Sequence, residues 1–497
     1  YQHRMLNHWD NLSGTIERGY AGRSIWKWPE LPSVISSRYK MYARANASVG
    51  INATVLNNVN STADILKTEY LNKIKVLADE FRPYGIKVYL SLYFTSPMRL
   101  GGLSTADPLN QDVINWWTSK INEIYTLIPD FGGFLVKANS EGQPGPQDYG
   151  RTHADGANML AKILEPYNGL VIWRAFVYGN QSAERSAQAY LEFKPLDGKF
   201  DDNVVIQIKN GPLDFQPHEP FSPLFGAMED TKLGLEIQIT QEYLGAANHL
   251  VYLAPMWKEV LESDTYQDGE GSTVLKKISE SSVIAGVANI GEDANWCGHD
   301  FAQANWYAFG RLAWNPYLSS EEIAKEWIAQ TFCTDPSFVD TVSKLMLDSW
   351  PAAVNYMTPL GLNFLASTGH HYGPLPWSRN NFHKAGALTI GVLRDAGVTQ
   401  YNEPLKSKFG SIETCPEENL LWFHAVSWDR VMKNGRTLWD ALCLKYEEGV
   451  NQAAGFRNTW KEVKAYVDYN RFNNVLEKLE LQAEEAIWWK NACLLNF

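Results

Sequence analysis

Short apolar runs alternate along this chain with longer segments whose apolar residues recur at helical spacing. Eight extended apolar runs stand before residue 295, at 4–9, 51–59, 87–94, 133–141, 170–178, 203–209, 234–242 and 283–290. Between several of them, stretches such as 68–81, 112–127 and 156–164 place apolar residues three and four apart, which predicts helices. Strands that alternate with helices pair in parallel, and eight such units close on themselves. The expected fold is therefore α/β: a (β/α)8 TIM barrel over residues 1–318, followed by a mainly α-helical C-terminal domain over 319–497. At that boundary Ser319 and Glu322 form a capping-box pattern ahead of Ile323, Trp327 and Ile328. The tail repeats Phe472, Leu476, Leu479, Ala483 and Ile487 as a helical stripe. One loop, from Gly369 through His370, His371 and Tyr372 to Trp377, interrupts this helical region and reads as functional.

Polar residues inside the strands break the apolar pattern in a regular way. Side chains alternate faces along a strand. In the seventh run, Glu236, Gln238, Thr240 and Glu242 fall on one face and Leu235, Ile237 and Ile239 on the other. Lys137, Asn139 and Glu141 line up in the fourth run, and Gln207 and Lys209 in the sixth. Barrel interiors are normally filled with Val, Ile and Leu, so ionisable residues there point to an active-site mouth at the carboxyl ends of the strands.

Composition narrows the class. With 497 residues, 45% of them hydrophobic and 20% charged, the chain has enough apolar surface for two globular units, and no run is long enough to span a bilayer. A net charge of −12 and a pI near 5.4 argue against nucleic acid or an anionic membrane as partner. Nineteen Trp and 24 Tyr suit sugar binding, because flat rings cover the apolar faces of pyranoses. The five cysteines are too few for a disulfide scaffold and lack metal-ligand spacing. Glycosylation sequons begin at Asn11, Asn46, Asn52, Asn60 and Asn180, and the reading is a secreted, extracellular glycoprotein. The chain opens on Tyr1 with neither methionine nor signal segment, so the start of the gene product is expected to be missing.

Two sets of charges carry the candidate chemistry. Lys137, Arg174 and Lys209 lie near the mouth on three different strands, and Arg174 is the lone charge in its run. Three cations converging in an acidic protein predict an anionic ligand group, a carboxylate or phosphate, although pairing with Glu141, Asp214, Glu236 and Glu242 is compatible with the same arrangement. Glu141, Asp214 and Glu242 stand at the ends of the fourth, sixth and seventh strands. Paired carboxylates at the mouth of a barrel are the glycosidase arrangement: a protonated one serves the leaving oxygen and an ionised one acts as base or nucleophile. A metallohydrolase reading is weaker, since Asn7-His8-Trp9 offers one histidine and His370-His371 are adjacent. No glycine-rich phosphate loop and no nucleophile elbow occurs, so no cofactor and no metal are expected.

With these residues in hand, the chain resembles the α-glucuronidases of glycoside hydrolase family 67. The resemblance runs through His8-Trp9-Asp10-Asn11-Leu12, the stretch from Ile16 to Ser24, Asn57-Asn58-Val59-Asn60, Lys137-Ala138-Asn139-Ser140-Glu141-Gly142, Gly211 to Pro217, and Gln238 to Tyr243. It implies hydrolysis, with inversion, of the α-1,2 bond between (4-O-methyl)glucuronic acid and xylose in glucuronoxylan-derived oligosaccharides. It implies Glu141 as general acid, Asp214 and Glu242 activating water, and Lys137, Arg174 and Lys209 around the uronate carboxylate. Trp9 would form a sugar-ring wall and Val59 would lie near the 4-O-methyl group. The helical tail would serve a homodimer. The chain departs from the family in beginning at the first strand, without the β-rich domain that usually precedes it, and in carrying His218 where an arginine is expected. A retaining glycosidase on another acidic sugar and a catalytically inactive carbohydrate-binding protein are the alternatives.

Overall fold

The computed structural model describes residues 1–177, 185–281, 283–288, 290–377 and 397–497. Its core is a closed barrel of eight parallel strands: β1 His3–Asn7, β2 Ala53–Val55, β3 Lys87–Ser91, β4 Gly133–Val136, β5 Leu170–Arg174, β6 Val204–Lys209, β7 Leu233–Gln238 and β8 Val283–Val287. They pair in chain order, and β8 closes on β1 through the register His3 to Val283 and Asn7 to Val287.

All but the sixth strand end sooner than the apolar runs predict. After β4 the chain leaves the ladder, and Asn139 and Glu141 adopt left-handed φ values of 50° and 48°. After β7 a turn is closed by the bonds from Leu244 N and Ala246 N to Gln241 O. Glu141 and Glu242 are therefore carried by turns beyond their strands and not by strand alternation. Within the ladders the expected facing holds. The Trp173 indole N–H bonds Nδ1 of His153, on the outer helix His153–Leu164, at 3.2 Å. Its neighbour Arg174 must then point into the barrel, where Gln207, Lys209, Glu236 and Gln238 join it.

The outer helices show why this sequence closes. Thr68–Phe81 buries Leu71, Ile74, Leu77, Ala78 and Phe81 on one face. It ends in a tight Arg82-Pro83-Tyr84 turn and a left-handed Gly85 at φ 72° before β3. Glu165-Pro166-Tyr167 and left-handed Asn168 repeat that device ahead of β5.

The region after the barrel is helical. Helix Ser320–Thr331 starts on the expected capping box of Ser319 and Glu322. Helices Pro336–Met357, Leu438–Glu462 and Tyr469–Asn496 pack against one another. Several bonds tie this region to the loops after β6 and β7. The Trp350 indole N–H donates to Pro217 O at 2.8 Å, Phe364 N–H to Gln216 Oε1 at 2.8 Å, and Gln482 bonds both N and O of Leu250. The five cysteines are all free thiols. Among the described residues no helix is long and apolar enough to cross a membrane, and no cluster of His, Cys, Asp or Glu is arranged to hold a metal.

Candidate active site

Trp9, Val59, Lys137, Glu141, Arg174, Lys209, Asp214 and Glu242 all line one cavity of about 400 Å³ at the carboxyl ends of the strands. Every candidate named from the sequence is thus brought to the same place. Glu17, Arg18, Asn60, Phe176 and His371 complete the wall.

The cations are gathered around one ring. Lys209 Nζ stands 3.5 Å from the centroid of Phe176, the Arg174 guanidinium 5.1 Å and Lys137 Nζ 5.5 Å. A ring face attracts cations, and here it does so without neutralising them. Each also has an acidic partner, so the pairing and the convergence expected of these charges occur together. Lys137 bonds Glu141 and, at 2.8 Å, Asn60 Oδ1. Lys209 bonds Asp214 Oδ1 at 2.5 Å. Arg174 grips Glu236 through both nitrogens, at 2.8 and 2.5 Å. Burial pushes the Lys137 ammonium down; the Glu141 charge opposes that, and Arg174 and Lys209 add to it. An entering anion would relieve this mutual repulsion.

The three carboxylates differ in setting. The Glu141 side chain is 43% exposed, against 5% for Glu242 and 15% for Asp214, so Glu141 faces the cavity opening. Burial alone would raise the Asp214 carboxyl, but the charges of Lys209 and His371 and the bonds from Lys209 and Tyr243 bring it below its ordinary value. Glu242 accepts from Arg18 Nε at 2.9 Å, His371 Nδ1 at 2.7 Å and Gln238 Nε2 at 2.7 Å.

The loop bearing Asp214 is stiffened from beneath. Buried Glu219 accepts the backbone N–H groups of Leu213, Asp214 and Gln216 at 2.8–2.9 Å. Burial raises its carboxyl to about 7 despite those three donors. Gly211 is required here: a Cβ would stand 2.2 Å from Glu219 Oε2 and 2.4 Å from Glu219 Cβ. His218, the departure from the expected arginine, bonds Glu259 Oε1 at 2.7 Å and lies against Trp350, so the support of Asp214 falls to Lys209, Tyr243 and Glu219.

The family model described as the glycosyl hydrolase family 67 middle domain matches residues 1–296, and that described as the family 67 C-terminus matches residues 297–497. This chain belongs to glycosyl hydrolase family 67. It is 43% identical to alpha-glucuronidase A of Emericella nidulans over 99% of its own length and 62% of that protein's. It is 42% identical to the alpha-glucuronidase of Hypocrea jecorina over 98% and 61%. The chain thus spans about three fifths of the length of the curated relatives it matches. Among solved structures, a GH138 enzyme targeting pectin rhamnogalacturonan II superposes with a TM-score of 0.56 at 12% identity, covering 97% of this chain and 57% of the other. That likeness concerns the fold alone.

Sequence reasoning left several wall residues without a role. Arg18 and Glu17 lie in the family-like stretch from Ile16 to Ser24, and His371 in the loop from Gly369 to Trp377. Phe176 gave no signal, because an apolar residue after β5 reads as core. Trp377, in the same loop as His371, is 52% exposed. Of the sequon asparagines, Asn46 is fully buried and accepts the Trp306 indole N–H, while Asn60 bridges Lys137 and Glu17 inside the site; Asn180 lies outside the described residues.

Proposed function

We propose that this protein is an inverting α-glucuronidase that hydrolyses the α-1,2 bond between (4-O-methyl)glucuronic acid and xylose in glucuronoxylan-derived oligosaccharides. One observation carries the reading: three cations ring Phe176 in the same cavity as three carboxylates. The uronate carboxylate docks against Lys137, Arg174 and Lys209, with the sugar ring on Trp9 and the 4-O-methyl group towards Val59. Glu141 holds the proton that passes to the glycosidic oxygen as the bond to the anomeric carbon breaks. Asp214 and Glu242 hold a water on the opposite face. One of them takes its proton as its oxygen attacks the anomeric carbon, which inverts that centre. The lowered Asp214 carboxyl supports an ionised group on the water side.

An extracellular setting fits a polysaccharide-derived substrate. A homodimer through the helical region is supported by the exposure of Tyr469, Ile487, Trp488 and Leu495 on its last helix. The test of function is incubation with an aldouronic acid, with free glucuronate measured and its first-formed anomer read by proton NMR. Release of the β-anomer is expected. Initial α-anomer would favour the retaining course, and binding without release would favour an inactive sugar-binding protein.

A further inference from the structure

His371 reaches the barrel mouth from the helical region, and its contacts define a task. Its Nδ1 lies 2.7 Å from Glu242 Oε1. A carboxylate only accepts, so Nδ1 carries the hydrogen of that bond. Its ring stacks on Tyr243, with centroids 4.3 Å apart and planes 15° from parallel. The Tyr243 hydroxyl in turn donates to Asp214 Oδ2 at 2.9 Å and stands 3.5 Å from His371 Nε2. One imidazole thereby touches one water-side carboxylate directly and the other through a single phenol. Arg18 braces the same assembly, donating to Glu242 Oε1 at 2.9 Å and to Gly369 O, on the His371 loop, at 3.0 Å.

The loop is held in place by contacts well outside the cavity. His371 has a φ of 56°, a region disfavoured for a residue with a Cβ, and its N–H bonds Ser367 O at 3.0 Å. The next residue, Tyr372, donates to Glu485 Oε2 at 2.5 Å and accepts from Asn248 at 2.9 Å. Glu485 lies on helix Tyr469–Asn496 and also bonds His249 Nε2 at 2.6 Å. Gly373 then passes so close to Trp488 that a Cβ would stand 2.3 Å from its ring.

We infer that His371 is a positioning residue of the hydrolytic site: it orients Glu242 directly and Asp214 through Tyr243, and the Tyr372–Glu485 anchor on the last helix fixes where it stands. This rests on the proposed function, because the water held between the two carboxylates belongs to that reaction. Misplacement of reacting groups by about 1 Å costs on the order of 100-fold in rate.

The experiment is steady-state kinetics on an aldouronic acid for the wild type and for His371→Ala, His371→Asn and Tyr372→Phe, with far-UV circular dichroism and melting of each. His371→Ala should lower kcat on the order of 100-fold with little change in KM, since the uronate is held by other residues. His371→Asn, which keeps a donor near the Nδ1 position, and added imidazole with His371→Ala should each restore part of kcat. Tyr372→Phe should lower kcat in the same sense by roughly tenfold. If His371→Ala melts below the assay temperature, His371→Asn and Tyr372→Phe decide. An active wild type with unchanged kcat in these folded variants, or a loss confined to KM, overturns this inference alone. A wild type that releases no glucuronate overturns the functional reading and this one with it.

Discussion

Replacing Arg174 by Met tests whether the cation cluster is built on a buried ion pair. The side chains of Arg174 and Glu236 are 2% and 1% exposed and joined by two bonds. Burial would raise the Glu236 carboxyl, but the Arg174 charge and bonds overcome it and hold it below the ordinary range. Without Arg174, Glu236 keeps the amide of Gln207 at 2.5 Å and the more distant charge of Lys209. Breaking a buried pair from one side costs ~3–5 kcal/mol. Unfolding entropy near ~2.1 cal/mol/K per residue makes a 497-residue chain lose about 1 °C per kcal/mol. Melting should therefore fall by roughly 3–5 °C.

A second substitution, Glu236→Gln, removes the orphaned charge and retains a partner for Gln207. The double variant should regain at least half of the lost stability without regaining uronoside turnover. The pH dependence has a definite sign. Glu236 is depressed in the folded protein, so the stability it contributes is full above its unfolded value near ~4.3. That stability is lost as pH falls through the lower folded value. The gap between wild type and double variant should accordingly shrink in acid. Calorimetry and glucuronate release on both variants provide the readout. A single variant within about 1 kcal/mol of wild type, or a double variant as unstable as the single, would refute the reasoning.

Three further outcomes follow from the site. Glu141→Gln should abolish turnover of the natural aldouronic acid, and near-normal rates would end its assignment as the acid. Tyr243→Phe removes a bond that helps hold the Asp214 carboxyl down; the acid limb of the kcat/KM profile should move to higher pH, and a slower enzyme with an unmoved limb would count against Asp214 as the base. Gly211→Ala drives a methyl group into Glu219 and should cost ~1–3 kcal/mol together with most activity, measured by urea unfolding and glucuronate release; full activity would show that the Asp214 loop tolerates displacement.

The barrel was legible because its strands are short apolar runs, polar only on the barrel-facing side in β6 and β7, and its helices carry clean periodicity, as in Leu71, Ile74, Leu77 and Phe81. Strand ends were not. The alternation that set Glu236, Gln238, Thr240 and Glu242 on one face holds for Glu236 and Gln238 within β7, whereas Thr240 lines a different cavity with Tyr20 and Ile290, and Glu242 is brought round by a turn, its N–H held by Gln238 Oε1 at 3.3 Å. Glu141 likewise depends on left-handed backbone that no pattern of hydrophobicity encodes. The bonds from Arg18 and His371 to Glu242 cross 224 and 129 residues, beyond the reach of local pattern. Phe176 was silent for the opposite reason: its chemistry is that of an ordinary core residue until three cations surround it.

The separation between Glu242 and the histidine that braces it also bears on how the protein matures. At a synthesis rate of ~5–20 residues per second, the separation of 129 residues takes roughly 6–26 s to be made. During synthesis Glu242 is therefore made well before the histidine that braces it. The brace on Glu242 is then complete only after helix Tyr469–Asn496, which anchors Tyr372 through Glu485, has been made and has docked.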